Sequence, residues 1–205
     1  MKTVSDFRAD MLVILGDASG RRYSESTMDM GLREALAHYR SYYPKKETIS
    51  QKILDNEGGG MLVLPGFLDP EIEILTVRSE KGDWLNFSEY RNDRNVYLQL
   101  PFSADVPAVG SMLWLELSCP HTIKGLDDRT QTTVPDGHAL TVCKGAAGFA
   151  MRMRARSVTE VFGKRPEDRE ALAAQAEALL NEFWRELSGI QAAPVDPLPR
   201  GNFPI

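Results

Sequence analysis

Two cysteines and two histidines are the side chains best suited to nucleophilic or metal chemistry, namely Cys119, His121, His138 and Cys143. A single residue separates Cys119 from His121, which matches no common zinc spacing, and the sequence contains no Cys-x-x-Cys pair. A Cys–His nucleophile would need a thiol of lowered pKa in an open cleft, and the sequence indicates neither. We therefore expect no metal and no catalytic cysteine, with Cys143 in the core and His121 in a loop.

Two other patterns that often accompany catalysis are incomplete. Gly58-Gly59-Gly60 lacks the Lys-Ser/Thr pair of a phosphate-binding loop and precedes an apolar run, which indicates a turn before a strand. The acidic pair Asp127-Asp128 is typical of a solvated loop, and its spacing gives no support for general acid–base catalysis. We predict that the protein is not an enzyme and that it has no cofactor.

Three basic residues, Lys144, Arg152 and Arg156, lie on one arc of a predicted helix. Such an arc could contact nucleic acid, form a solvated face or make a salt-bridged subunit contact. The chain has 24 Lys and Arg residues against 29 Asp and Glu, a formal net charge of -5. Because a dedicated DNA-binding protein usually has a strong basic excess, we favour a solvated face or a subunit contact.

Tyr39, Tyr42, Tyr43 and Trp114 are an aromatic set that could bind a small ligand. Core and interface packing explain the same residues equally well. We keep open the alternative that the chain is a small-ligand or carbohydrate-binding module that uses its β region.

The first two elements that would position these residues are helices. One is predicted from about Ser5 to Leu15, capped by Ser5 and ended by Gly16. A second follows the capping residue Ser24 and ends at Pro44. Its apolar residues recur at helical spacing, as Met28, Leu32, Ala35, Leu36 and Tyr39 show.

Between about residues 46 and 119 the hydrophobic period changes to that of strands. Apolar runs at 61–64, 72–77, 96–100 and 112–117 are separated by turn residues, among them Lys81-Gly82-Asp83. Strands with frequent turns and no intervening helix predict an antiparallel sheet or a small sandwich.

Helical periodicity returns after residue 119. Thr133-Val134-Pro135-Asp136 has the signs of a helix start, and this helix is predicted to reach about Val161. Its small residues would let a neighbouring helix approach closely; they are Ala146, Ala147, Gly148 and Ala150. A last helix is predicted to begin near Pro166 and to end at Gly189.

The segment 190–205 contains Pro194, Pro197, Pro199 and Pro204, which predicts an extended C-terminal arm. Fully stretched, this arm would reach roughly 50 Å.

These elements predict an α+β protein. Helical pairs near both ends must bury their apolar stripes, and the simplest partner for each pair is the other. We expect an antiparallel four-helix core built from residues 1–45 and 120–189. A β domain over 46–119 is inserted between the second and third helices, and the arm 190–205 follows.

Composition favours a soluble protein from a reducing compartment. Two cysteines in 205 residues make no disulfide framework. The first residues contain Lys2 and Asp6 without the apolar run of a signal peptide, and no stretch reaches the length of a membrane span. We expect no membrane association.

Three stretches carry a family resemblance. The first is Ile14–Asp17 with Arg22–Ser24, leading into Leu32–Tyr39; the second is Leu64–Leu68; the third is Thr132–Pro135 with the following Gly145-Ala146-Ala147. They resemble the head–tail adaptor proteins of tailed phages and prophages, also called neck, connector or tail-tubular proteins. The likeness extends over about residues 5–160 and so covers most of the chain.

The resemblance implies an architectural role without catalytic residues. Members of this group form rings, commonly twelve-fold, below the portal and join the DNA-filled head to the tail. It implies portal and tail components as partners, a homo-oligomeric ring, and genomic DNA that passes through without specific binding. It also implies a location in the host cytoplasm during assembly and then in the virion neck. The candidate contacts are Lys144, Arg152 and Arg156 on the helix and Pro194, Pro197, Pro199 and Phe203 in the arm.

Overall fold

A computed structural model describes residues 2–56, 60–65, 72–92, 95–101, 106–157 and 166–191. Its elements are helices and antiparallel strands, so the predicted α+β class is confirmed. The chain divides into two compact units, a helical unit (residues 1–43 and 122–205) and a sheet unit (residues 44–121). Within the described ranges, no helix is long and apolar enough to cross a membrane.

The first helix, α1, spans Val4–Ile14 and is capped by Thr3 rather than by the predicted Ser5. The Thr3 hydroxyl accepts a hydrogen bond from the backbone N–H of Asp6, and the Asp6 carboxylate accepts one from the N–H of Thr3 at 2.7 Å. This reciprocal capping box satisfies two backbone donors at once, and so the helix begins one residue before Ser5.

The second helix, α2, spans Glu25–Tyr42, and its N-cap is Ser24, as predicted. The loop before it is organised by Asp17, whose buried carboxylate accepts backbone hydrogen bonds from Arg22 at 2.7 Å and Tyr23 at 3.1 Å. Burial opposes ionisation of this carboxyl, but these hydrogen bonds outweigh it and hold the pKa of Asp17 below its ordinary value.

The third helix, α3, spans Ala139–Ser157 and follows a short 3-10 helix at Asp136–His138. The predicted start at Thr133 is wrong, because the Thr133 hydroxyl accepts a hydrogen bond from the N–H of Thr122 at 2.8 Å instead of capping a helix. The predicted end of this helix near Val161 lies outside the described residues.

The fourth helix, α4, spans Pro166–Gln191 and passes through Gly189, where we predicted its end. Gly189 does not adopt the left-handed backbone conformation that terminates helices. The first two residues of the predicted arm, Ile190 and Gln191, are therefore helical. The rest of the arm lies outside the described residues.

All four helices contribute buried residues to one hydrophobic cluster, and α3 contacts each of the other three. The close approach predicted for the small residues of α3 is confirmed at Ala146, and Gly145, which was not in the predicted set, makes a second close contact. A Cβ added to Gly31 of α2 would lie 2.4 Å from the backbone oxygen of Ala146, and one added to Gly145 would lie 2.8 Å from the Phe183 ring of α4. Neither site has room for a larger residue. The antiparallel four-helix core itself stays a prediction.

The sheet unit contains two antiparallel four-stranded sheets, each defined by its own strand order. The first sheet has the order β1-β8-β4-β5, formed by Lys45–Lys52, Met112–Cys119, Glu73–Ser79 and Trp84–Leu85. The second has the order β2-β3-β7-β6, formed by Asp55–Asn56, Met61–Pro65, Asn95–Gln99 and Ser88–Arg91.

Buried residues from both sheets belong to a second hydrophobic cluster, which is rich in leucine. Leu113, Leu115 and Leu117 of β8 share this core with Leu62 and Leu64 of β3. The inner faces of the two sheets thus form one interior, as in a small sandwich. The short strands β2, β5 and β6 were not predicted, because two to four residues carry too little periodicity.

Candidate interaction surface

Of the three predicted basic contacts, Lys144 makes an ion-pair network within its own chain. Its ammonium group lies 2.6 Å from a carboxylate oxygen of Glu182 and 2.6 Å from one of Glu186, both on α4. The Thr141 hydroxyl also donates to Glu186, at 2.7 Å. Hydrogen bonds to the two glutamates raise the pKa of Lys144. The side chain is only 18% exposed, which fits a contact that joins α3 to α4.

The other two predicted basic residues, Arg152 and Arg156, are exposed on the second half of α3. Between them Arg154 is half-buried, because its guanidinium lies 4.9 Å from the centre of the Tyr23 ring and donates to the Arg22 carbonyl. The arm residues Pro194, Pro197, Pro199 and Phe203 lie outside the described part of the chain.

The residues suited to nucleophilic chemistry are mostly buried. Burial raises the pKa of the Cys143 thiol to about 12, so this cysteine is protonated at neutral pH. Cys119 is buried at the end of β8, and His121 is buried just after it. Among the described residues, no group of three or more His, Cys, Asp and Glu side chains is placed to hold a metal.

His138 has a structural contact with the tyrosines of α2. The Tyr39 hydroxyl lies 2.5 Å from Nδ1 of His138, and the Tyr43 ring meets the imidazole edge-on with centroids 4.9 Å apart. Burial lowers the pKa of His138 and raises that of Tyr39, so a neutral imidazole accepts a hydrogen bond from a neutral phenol. Tyr39 and Tyr43 therefore pack in the helical unit, while Trp114 belongs to the sheet unit.

The outer face of the first sheet carries a row of aromatic and basic side chains. Strand register places Trp84 of β5 opposite Arg78 of β4, Arg78 opposite Trp114 of β8, and Trp114 opposite Ser50 of β1. Residues directly opposite in antiparallel strands point to the same face of a sheet. We call the three residues Trp84, Arg78 and Trp114 the tryptophan row.

Local sequence explains why the row points outward. Along β8, Leu113 and Leu115 are buried in the core while Trp114 between them is 39% exposed, as the two-residue period of a strand requires. Trp84 follows the turn that ends β4. In this turn Gly82 has a φ of 94°, and the N–H of Ser79 donates a hydrogen bond to the Asp83 carbonyl at 2.8 Å. Trp84 is 66% exposed, a large fraction for an indole ring.

The positive charge of Arg78 stays unneutralised in the described part of the chain. Its guanidinium lies 5.6 Å from the centre of the Trp84 ring, a cation–π contact, and no carboxylate forms an ion pair with it there. Glu116, two residues along β8 from Trp114, pairs instead with Lys46 at 2.8 Å and accepts a hydrogen bond from Thr76 at 3.2 Å. The row thus combines exposed apolar rings with an available cation.

Exposed tryptophan and arginine are the residue types that most often dominate the energy of protein interfaces. Our sequence analysis considered Trp114 in an aromatic set but missed Trp84 and Arg78. The alternation Leu113-Trp114-Leu115 could have identified the outward tryptophan. That Trp84 lies in one row with Trp114 could not be predicted from the sequence, because it depends on which strands lie beside β4.

Comparison with solved structures adds a distant likeness. No protein-family model matches the chain, and no curated protein matches its sequence. Among solved structures, the chain is similar to one in the neck of an empty GTA particle computed with C6 symmetry. The two share 14% sequence identity over 88% of this chain and 87% of the other, with a TM-score of 0.26. At that TM-score the likeness carries no argument about fold or function.

Proposed function

We propose that the protein is a structural component of a phage or prophage particle that joins the portal of the head to the tail as a ring-forming adaptor. The observation that carries this proposal is the tryptophan row, in which two exposed indole rings flank a guanidinium on the outer face of the first sheet. A solvent-exposed indole gains stability when a partner covers it, so such a row favours a protein whose role is assembly.

Two of the three stretches that resemble head–tail adaptors support the proposal through their places in the helical unit. Asp17, in the first stretch, organises the loop between α1 and α2. The Thr132 hydroxyl, in the third stretch, donates to the Lys2 carbonyl at 2.5 Å and accepts from the N–H of Lys124 at 2.9 Å. Gly145 allows α4 to pack closely on α3. The first and third stretches thus each have a specific structural task, and Leu64 of the second stretch is buried in the core of the sheet unit.

In the proposed assembly, the four helices form an antiparallel core that supports the inserted β domain and the C-terminal arm. Arg152 and Arg156, with Pro194, Pro197, Pro199 and Phe203 of the arm, are candidate contacts with neighbouring subunits, the portal or tail components. Lys144, the third basic candidate, joins α3 to α4 through its ion pairs with Glu182 and Glu186. Genomic DNA passes through the ring without specific binding, and the protein has no catalytic task.

The test is binding to the portal protein encoded in the same genome. Purified chain would be mixed with assembled portal rings, separated by gradient centrifugation and imaged by negative-stain electron microscopy. We expect added density below the portal with cyclic symmetry. A Trp84→Ala, Trp114→Ala variant that remains folded should add less density or none, whereas Tyr90→Ala serves as a matched control. Wild-type protein that leaves the portal unchanged would contradict the adaptor role.

A second candidate function rests on the same surface. Two exposed tryptophans separated by one strand lie about 10 Å apart, a spacing at which both rings could stack on a carbohydrate chain. Titration with soluble oligosaccharides, followed by tryptophan fluorescence, distinguishes the two functions. A saturable change that disappears in Trp84→Ala would favour a carbohydrate-binding module over an adaptor.

A further inference from the structure

The outer face of α4 has a composition that complements the tryptophan row. Its buried side contains Ala176, Leu180 and Phe183. On the opposite side, an advance of about 100° per residue aligns the exposed Ala171, Ala174 and Ala178 in one stripe. Exposed Glu170 and Glu177, seven residues apart, flank this stripe on one edge. We call these five residues the alanine face.

We propose that the tryptophan row of one copy docks on the alanine face of a second copy, with the Arg78 guanidinium bound by the Glu177 carboxylate. The inference rests on the proposed function, because a ring of identical chains needs two different surfaces on every copy. A head-to-tail contact of this kind joins each copy to the next and can close into a ring.

The spacing of the two surfaces agrees. Trp84 and Trp114 lie two inter-strand distances apart, about 10 Å. Ala171 and Ala178 are seven residues apart on a helix that rises about 1.5 Å per residue, which also gives about 10 Å. Alanine side chains are short enough to let an indole ring lie flat against the helix, where longer side chains would hold it away.

The charges of the two surfaces are also complementary. Within the described residues, Arg78 forms no ion pair, and Glu177 forms none either. A guanidinium can donate two parallel hydrogen bonds to one carboxylate, which fixes orientation as well as adding attraction. The surrounding indole rings would exclude water from this pair and strengthen it.

A charge-swap experiment with two variants of the full chain tests this contact. Arg78→Glu places two acids opposite each other in self-association, and Glu177→Arg places two arginines opposite each other. In an equimolar mixture, contacts between unlike variants carry either the native pair or the reversed pair, so every contact between unlike variants is again attractive. Both residues reach solvent, and circular dichroism would check that each variant is folded.

Self-association would be measured by sedimentation velocity up to the highest soluble concentration. We expect the wild type to associate, each variant alone to associate roughly tenfold or more weakly, and the mixture to recover most of the wild-type association. Trp84→Ala should also weaken association, and Glu177→Arg should not rescue it. Tyr90→Ala is the matched control, because Tyr90 is 65% exposed on the outer face of the other sheet.

The outcomes separate this inference from the adaptor role. Wild-type protein that does not associate, or variants that associate as the wild type does, would overturn the proposed contact even if the chain binds portal rings. Recovery in the mixture together with a failure to bind any portal would support the contact and contradict the adaptor role.

Discussion

The helical unit and the sheet unit differ in where their distinctive residues lie. In the helical unit the distinctive residues face inward, where Gly31 and Gly145 let three helices approach one another closely. In the sheet unit the interior is a leucine cluster, and the distinctive residues Trp84, Arg78 and Trp114 face outward. The helical unit is therefore sensitive to the shape of its core, and the sheet unit carries the exposed surface that we propose to bind partners.

The two units also differ in how their charged side chains are paired. The helical unit joins distant parts of its chain by ion pairs, such as that of Arg8 on α1 with Asp29 on α2, where two nitrogens lie 2.9 and 2.8 Å from the two carboxylate oxygens. In the sheet unit, Lys46 of β1 likewise pairs with Glu116 of β8, but Arg78 on the outer face forms no ion pair with the described residues. We infer that each unit presents one surface of the proposed contact, the tryptophan row on the sheet unit and the alanine face on the helical unit.

The largest expected effect comes from removing the aromatic ring that covers α3. Phe183→Ala should lower the free energy of unfolding by about 3–5 kcal/mol, because Phe183 is fully buried and removal of its ring leaves a cavity. Chemical denaturation followed by far-ultraviolet circular dichroism measures this loss. The double variant with Gly145→Ala sharpens the test, because the added methyl group then enters space that the ring has left. If Gly145→Ala lowers the free energy of unfolding equally with and without Phe183→Ala, the two residues do not pack against each other as described.

A smaller effect is expected from adding one methyl group between α2 and α3. Gly31→Ala should cost about 1–3 kcal/mol, because its Cβ would meet the backbone of Ala146, which cannot move aside as a flexible side chain can. Gly189→Ala is the matched control, since no atom lies within 4 Å of its added Cβ and alanine favours a helix. Equal stability of the Gly31→Ala variant and the wild type would contradict the close-packed frame.

The Lys144 network should give the helical unit a pH-dependent stability. Burial opposes ionisation of Glu186, but hydrogen bonds from Lys144 and Thr141 outweigh it and hold the pKa of Glu186 below 4.5. The stability that ionised Glu186 contributes is fully present above about pH 4.5. It is lost as the pH falls through the lowered pKa that Glu186 has in the folded state. Lys144→Met should cost about 1 kcal/mol at neutral pH. It should also flatten the fall in melting temperature between about pH 5 and pH 3.

Thr141→Val provides a milder comparison, because it removes one hydrogen bond to Glu186 and leaves the ion pair in place. A Lys144→Met variant with the same acid slope as the wild type would show that the network does not contribute to stability.

The smallest effect on stability is expected on the tryptophan row. Trp84→Ala should change the free energy of unfolding by less than about 0.5 kcal/mol, because the ring is mostly exposed. The same change should reduce partner binding, and this separation of stability from binding is what distinguishes the sheet unit from the helical unit. A large loss of stability would indicate that Trp84 supports the fold and would weaken its assignment to an interface.

Sequence reasoning was most successful for long elements with strong periodicity. The buried stripe of α2, its capping residue Ser24 and the small residues of α3 all follow from residue type and helical spacing. It was least successful where a boundary depends on a distant partner. Thr133 resembled a helix cap but bonds to Thr122, and Gly189 resembled a helix end but stays helical.

The candidate contacts also divide into features that local sequence predicts and features that depend on distant partners. The sequence placed Lys144 on a polar helix face together with Arg152 and Arg156, and this face was predicted to make subunit contacts. Only the packing of α4 on α3 shows that Glu182 and Glu186 surround the Lys144 ammonium group. Nothing local in the sequence predicts this, because the partners lie about forty residues away.

By itself, then, the sequence determined the α+β class and the amphipathic helices, since these depend on residue type and on spacing within a few turns. Tertiary structure decided which side chains meet across strands. Trp84, Arg78 and Trp114 form one row because β4 lies between β5 and β8, and strand order is a long-range property of the folded chain. The same residues with another strand order would be isolated, and the surface proposed to bind partners would not exist.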